Sequence, residues 1–157
     1  MRYRQWSGIG AGIILGLIFV ASGVGKILEP IEFLTVLTST PFLSTKLVIL
    51  ISQWLPWVEL VLGLLLIVGI SAKFTSSVSF ILVIGFIFQN AWLIGHGLGV
   101  DDCGCLGRFG NILEIERQIT LSSQNALYMD IGMVALILII LLCYPGKFFT
   151  LRPWFLR

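Results

Sequence analysis

Charge is what this sequence has least of. Lys and Arg number 10 and Asp and Glu 8, together 11% of the 157 residues, against roughly 25% in soluble domains. The deficit excludes an ordinary soluble domain, and 57% hydrophobic residues put the chain among integral membrane proteins. The net charge is only +2 and no basic patch stands out, so nucleic-acid binding has no electrostatic footing. Cysteine and histidine are scarce as well, at three and one. A zinc site would have to gather Cys103, Cys105, Asp102 and His96; such sites space their cysteines by about two to four residues and need about four ligands. No metal is expected. Internal repeats and low-complexity tracts are absent too, and one domain over residues 1–157 is expected.

The few charges are confined to narrow zones. Residues 5–25 carry none, 47–72 carry only Glu59, 74–100 have His96 as their one ionisable side chain, and 118–146 carry only Asp130. Each window exceeds the roughly 20 residues that a helix needs to cross a ~30 Å hydrocarbon core. The fold class expected is therefore all-α: a four-transmembrane-helix bundle with helices at about 7–28, 47–70, 76–96 and 122–144. The first window is too long for a signal peptide, whose apolar stretch is about 7–15 residues, so a retained first helix is expected. With a cytoplasmic N-terminus, Arg2, Arg4, Lys73, Lys147, Arg152 and Arg157 lie inside, and Lys26, Lys46, Arg108 and Arg117 outside. That bias follows the positive-inside rule. Both termini are then cytoplasmic, and the loop between helices three and four faces an extracytoplasmic compartment of a bacterial or archaeal inner membrane.

Glycines at 8, 10, 12, 16, 23 and 25 of the first helix would let a neighbouring helix approach closely. After Pro30, Phe33, Leu34 and Leu37 share one helical face and Glu32, Thr35 and Ser39 the other, which predicts a short amphipathic helix at the outer interface. Phe148, Phe149, Trp154 and Phe155 beside terminal basic residues read as an interfacial anchor.

One polar loop interrupts the lipid-like chain, and it holds Cys103-Gly104-Cys105. A disulfide needs Cα atoms roughly 4.4–6.8 Å apart, which residues two apart reach where the backbone bends; Gly104 suits that bend. So short a ring is strained, and strained disulfides are the oxidising, labile ones. Disulfides also persist in extracytoplasmic compartments. Reversible thiol–disulfide chemistry is the expectation, with a structural staple or a metal site as alternatives. Cys143 falls near the inner end of helix four, out of reach.

Polar residues inside the apolar windows are the other candidates. Glu59 is costly in hydrocarbon unless it is protonated, paired or turned inward. It either glues helices by hydrogen bonds or pairing with Lys26, or acts as a proton acceptor lining a quinone pocket. Lys26 is expected to snorkel outward from the end of helix one. Gln89 and His96 share a helical face with Trp92 nearly between them, pointing toward the thiol loop. His96 either lowers a thiol's affinity for its proton and shuttles that proton, or is a plain hydrogen-bonding residue. Asp130 carries the same ambiguity as Glu59. Trp54 and Trp57 are placed to flank a planar ligand, or to pack.

Three stretches carry a family resemblance: Ala21-Ser22-Gly23-Val24-Gly25-Lys26-Ile27-Leu28-Glu29-Pro30, Leu55-Pro56-Trp57-Val58-Glu59 with Gly63, and Cys103-Gly104-Cys105-Leu106-Gly107. Together they resemble the MauE/DoxX-like four-helix membrane proteins over nearly the whole chain, which would then be a single DoxX-like transmembrane domain. The loop is nearest the MauE-like branch, although Leu106 stands where that branch usually has an aromatic residue. The resemblance implies disulfide handling with a periplasmic thioredoxin-like partner during maturation of methylamine dehydrogenase, or company with membrane redox systems such as thiosulfate:quinone oxidoreductase. It carries Lys26, Glu59, Cys103, Cys105 and Asp130 over as matching polar positions.

The expected function is a membrane thiol–disulfide oxidoreductase passing electrons between an extracytoplasmic thioredoxin-like or thiol partner and a membrane quinone. Cys103, Cys105, His96 and Glu59 are its expected catalytic residues, and Trp57, Glu59, Gln89 and Lys26 its expected quinone-binding residues; no tightly bound cofactor is expected. The alternative is a non-catalytic accessory subunit of a respiratory or photosynthetic membrane complex. A transporter is less well supported, because so few polar residues hardly line a path.

Overall fold

A computed structural model describes residues 2–28, 30–38, 44–96 and 123–143. Five helices result: α1 (Arg2–Leu28), α2 (Pro30–Thr38), α3 (Thr45–Val68), α4 (Ala72–Gly95) and α5 (Ser123–Cys143). Among the described residues there is no strand. Three helical stretches, Trp6–Leu28, Thr45–Val68 and Ala72–Gly95, are long and apolar enough to cross a membrane. The fourth expected span coincides in part with α5, whose described apolar stretch, Leu127–Cys143, is shorter. The amphipathic segment after Pro30 is helical.

Helix ends depart from the charge-free windows because charge does not stop a helix. Arg2, Arg4 and Lys46 all lie inside helices. The turn joining α3 and α4 is tighter than the gap between the expected helices at 47–70 and 76–96. Gly69 ends α3 with φ 75°, in the left-handed region that glycine tolerates, and its N–H donates to the Leu65 carbonyl at 2.9 Å. Ile70 donates to the same oxygen at 3.1 Å, and Ser71, at φ 47°, starts α4 at once.

α1 is the hub. It packs along α3 and along α5, and α4 packs on α5. Their shared core consists of Ala11, Leu15 and Phe19 from α1, Leu66 from α3, Ala72 and Val83 from α4, and Ile137 and Ile140 from α5. α1 and α3 run antiparallel at backbone contact. A Cβ added to Gly16 would lie 2.7 Å from the Gly63 carbonyl oxygen, and one added to Gly63 would lie 2.7 Å from that of Gly16. Only a residue without a side chain fits either position, as expected for close-packed membrane helices.

α2 covers the first turns of α3, with Phe33 and Leu37 buried on Val48 and packed by Ile51 and Leu55. Leu34, expected on that face, is exposed together with Thr35. α3 and α4 touch far less than α1 and α3 or α4 and α5 do. Along their seam runs an open apolar groove of ≈ 390 Å³ lined by Leu50, Ile51, Trp54, Leu55, Val58 and Leu82. Elsewhere the outer surface is apolar, with Ile14, Leu17, Ile81, Phe88 and Leu142 all exposed. Water would not tolerate such a surface, but lipid does.

Candidate functional site

A buried ion pair lies at the end of α1. Lys26 is 4% exposed and Glu59 0%. The Lys26 ammonium donates to Glu59 Oε1 at 2.6 Å, to Glu59 Oε2 at 2.8 Å and to Ser22 Oγ at 2.8 Å. The Ser22 hydroxyl in turn donates to Glu59 Oε2 at 3.2 Å. An ammonium has three N–H donors, so all of them are matched. Two aromatic rings complete the cage: the Phe86 centroid lies 4.6 Å and the Phe33 centroid 5.4 Å from Lys26 Nζ, within cation–π range.

The expectation that Lys26 snorkels outward is corrected here. Cβ atoms of a helix tilt toward its N-terminus. At the C-terminal end of α1 that direction leads back into the bundle, to Ser22 one turn earlier and on to Glu59. Gly23 allows the meeting: a Cβ there would lie 2.8 Å from the Pro56 carbonyl oxygen and 3.2 Å from the Leu60 nitrogen.

A second buried pair joins the other two helices. Asn90 on α4 donates from Nδ2 to Asp130 Oδ2 on α5 at 2.7 Å, and the two residues are 4% and 3% exposed. Asp130 also feels the attraction of Lys26. Phe86, against Lys26, lies one turn before Asn90 on the same face of α4. Ser22, Lys26, Glu59, Asn90 and Asp130 thus bring polar atoms from four helices into one buried region. Asn90 sits about one and a half turns before the end of α4, and Asp130 about two turns inside α5. The region therefore lies at the end of the bundle to which segment 97–122 is attached.

The other expected site residues are spread out. Cys103 and Cys105 lie outside the described residues, as does Asp102. His96 is exposed at the end of α4, its ring stacked on Trp92 at a centroid distance of 3.8 Å and its Nδ1 3.0 Å from the Trp92 carbonyl oxygen. Gln89 is half-buried. Trp57 is 58% exposed and Trp54 is exposed too. Residues two apart on a helix do not share a face, so Trp57 and Glu59 point apart. Among the described residues, no group of three or more His, Cys, Asp and Glu could hold a metal ion.

Sequence reasoning passed over Ser22 and Asn90. Ser22 had a local signal, one turn from Lys26 on the same face. Asn90 had none, because its partner is 40 residues away.

The profile of the family described as Methylamine utilisation protein MauE matches residues 4–143. The chain belongs to the MauE family. The methylamine utilization protein MauE of Methylophilus methylotrophus is 31% identical to it over 98 residues, 62% of this chain and 52% of that relative. The match thus spans about half of the curated relative's length. No solved structure matches. In this MauE-family chain the matched segment takes in Ser22, Lys26, Glu59, Asn90 and Asp130. With its three span-length helices, it is a multi-pass membrane protein.

Proposed function

We propose that this MauE-family protein is a four-span thiol–disulfide oxidoreductase of the cytoplasmic membrane, with both termini inside and Cys103 and Cys105 facing outward. A dithiol on an extracytoplasmic thioredoxin-like partner attacks the 103–105 disulfide and leaves it as two thiols. Those thiols then lose two electrons and two protons to a membrane quinone; the S–S bond re-forms and the quinone becomes a hydroquinone. His96 or Glu59 moves the protons. The ≈ 390 Å³ groove along the α3–α4 seam is within the usual range of small-molecule sites, about 300–1,000 Å³, and its apolar lining suits a polyisoprenoid tail. The relative's name includes methylamine utilization, and by extension this chain serves the maturation of a redox enzyme.

The observation that carries the reading is where the polar groups gather. A bundle otherwise built for lipid collects its buried charges at the end that leads into the segment holding the adjacent cysteines. The test uses membranes containing the protein, a reduced dithiol substrate and a short-chain quinone. Cys103→Ser and Cys105→Ser should each lower quinone-dependent thiol oxidation to the rate of membranes without the protein. Cys143→Ser, which alters a free half-buried thiol on α5, should leave the rate unchanged. Undiminished turnover in the Cys103→Ser/Cys105→Ser double variant would sink the proposal and favour the accessory-subunit alternative.

A further inference from the structure

Among the described residues, the buried region contains two acids and one cation. Glu59 and Lys26 match each other in charge, and Lys26 has spent its three N–H groups on Glu59 and Ser22. None is left for Asp130, whose hydrogen-bond donor among the described residues is the neutral amide of Asn90. Among the described residues, the side chains gathered in this region bring no second cation: Phe33 comes from α2, Glu59 from α3, Phe86 and Asn90 from α4, and Ser22 with Lys26 from α1. His96, the one histidine, lies well around the helix from Asn90 and is exposed. A carboxylate with no matched cation in a lipid-surrounded interior is strongly disfavoured. One proton removes the excess charge and leaves Oδ2 free to accept from Asn90.

We propose that Asp130 is a proton-binding site, carrying one exchangeable proton at rest. Glu59 stays ionised against Lys26. The two acids are thus set apart by their surroundings: one is neutral because its partner is an amide, the other charged because its partner is an ammonium. Asp130 lies close to the loop end of α5 and can accept or return a proton as the thiols release theirs. That use of the proton rests on the redox reading above; the presence of the proton does not.

Infrared difference spectroscopy of the purified full-length protein tests it. The wild type should show the carbonyl stretch of a neutral carboxylic acid, shifted in D2O. Asp130→Asn should abolish the band, and Lys26→Met/Glu59→Leu, which removes the ion pair as a unit, should keep it. Thermal unfolding gives an independent readout. An asparagine amide resembles a neutral acid in shape, so Asp130→Asn should leave the midpoint unchanged. Glu59→Gln strands the Lys26 charge and should lower it by about 10 °C. If Asp130→Asn fails to fold, Asp130→Glu should move the band without removing it. A band that is absent, that survives Asp130→Asn, that vanishes with Lys26→Met/Glu59→Leu or that ignores D2O overturns the proposal. A band that behaves as expected in a protein without thiol turnover leaves the proton site standing and removes only the redox reading.

Discussion

Lys26→Met should be the most damaging single substitution in the bundle, and adding Glu59→Leu should reverse most of the damage. Removing one partner of a buried ion pair costs about 3–5 kcal/mol, because the remaining charge is left without a counterion. At about 2–4 °C per kcal/mol for a chain of this size, the single variant should unfold about 6–20 °C lower in detergent. The double variant leaves no stranded charge, and apolar replacement of a whole buried pair is often neutral. Recovery also depends on Asp130: ionised, it would be left without the attraction of Lys26, and the double variant would stay weak. Lys26 is held by Glu59, Ser22 and two rings, so an unaltered midpoint in Lys26→Met would contradict the described geometry. A recovered double variant that no longer oxidises thiols would place the pair's value in chemistry and not in adhesion.

How much of this was legible beforehand depended on the range of the interaction. Charge-free windows marked the apolar helices, because hydrocarbon selects against charge one residue at a time. They marked helix ends poorly, because Arg2 and Lys46 are as helical as their apolar neighbours. The short helix after Pro30 was visible in its period, yet Leu34 on the same stripe is exposed; which part of a stripe is covered depends on where α3 lies. Glu59 and Lys26 were each conspicuous as isolated charges. Their union across 33 residues follows from the antiparallel contact of α1 and α3 and from the backward tilt of side chains at a helix's C-terminal end. Asn90, an amide among apolar residues, gave no sign of Asp130. The weak amphipathicity of α4 and α5 offers no stripe from which to read which face turns inward. The thiol pair was the plainest chemical signal in the sequence, and it lies outside the described residues.

The second large effect belongs to the contact that brings Lys26 to Glu59. Gly63→Ala places a methyl group 2.7 Å from the Gly16 carbonyl oxygen, 2.8 Å from Val20 Cγ2 and 2.9 Å from the Val20 nitrogen. Two of these obstacles are backbone atoms and cannot rotate aside. α1 and α3 must separate, and overpacking of this kind typically costs about 1–3 kcal/mol; Gly63→Val, with two further carbons, should cost more. Gly10→Ala on α1 is the control, since a Cβ there meets nothing within 4 Å. It should be neutral or stabilising by up to about 1 kcal/mol, because alanine forms helix more readily than glycine. The distinction should extend to the site. Gly23, against Pro56 and Leu60, and Gly16, against Gly63, lie on the same helix contact, so a wedge at Gly63 also pulls Glu59 away from Lys26. Gly63→Ala should therefore lose part of its stability through the pair, and the combination of Gly63→Ala with Lys26→Met/Glu59→Leu should lose less than the sum of the two. Simple additivity would mean that the glycine contact and the ion pair act independently, and that helix separation does not set the geometry of the buried charges.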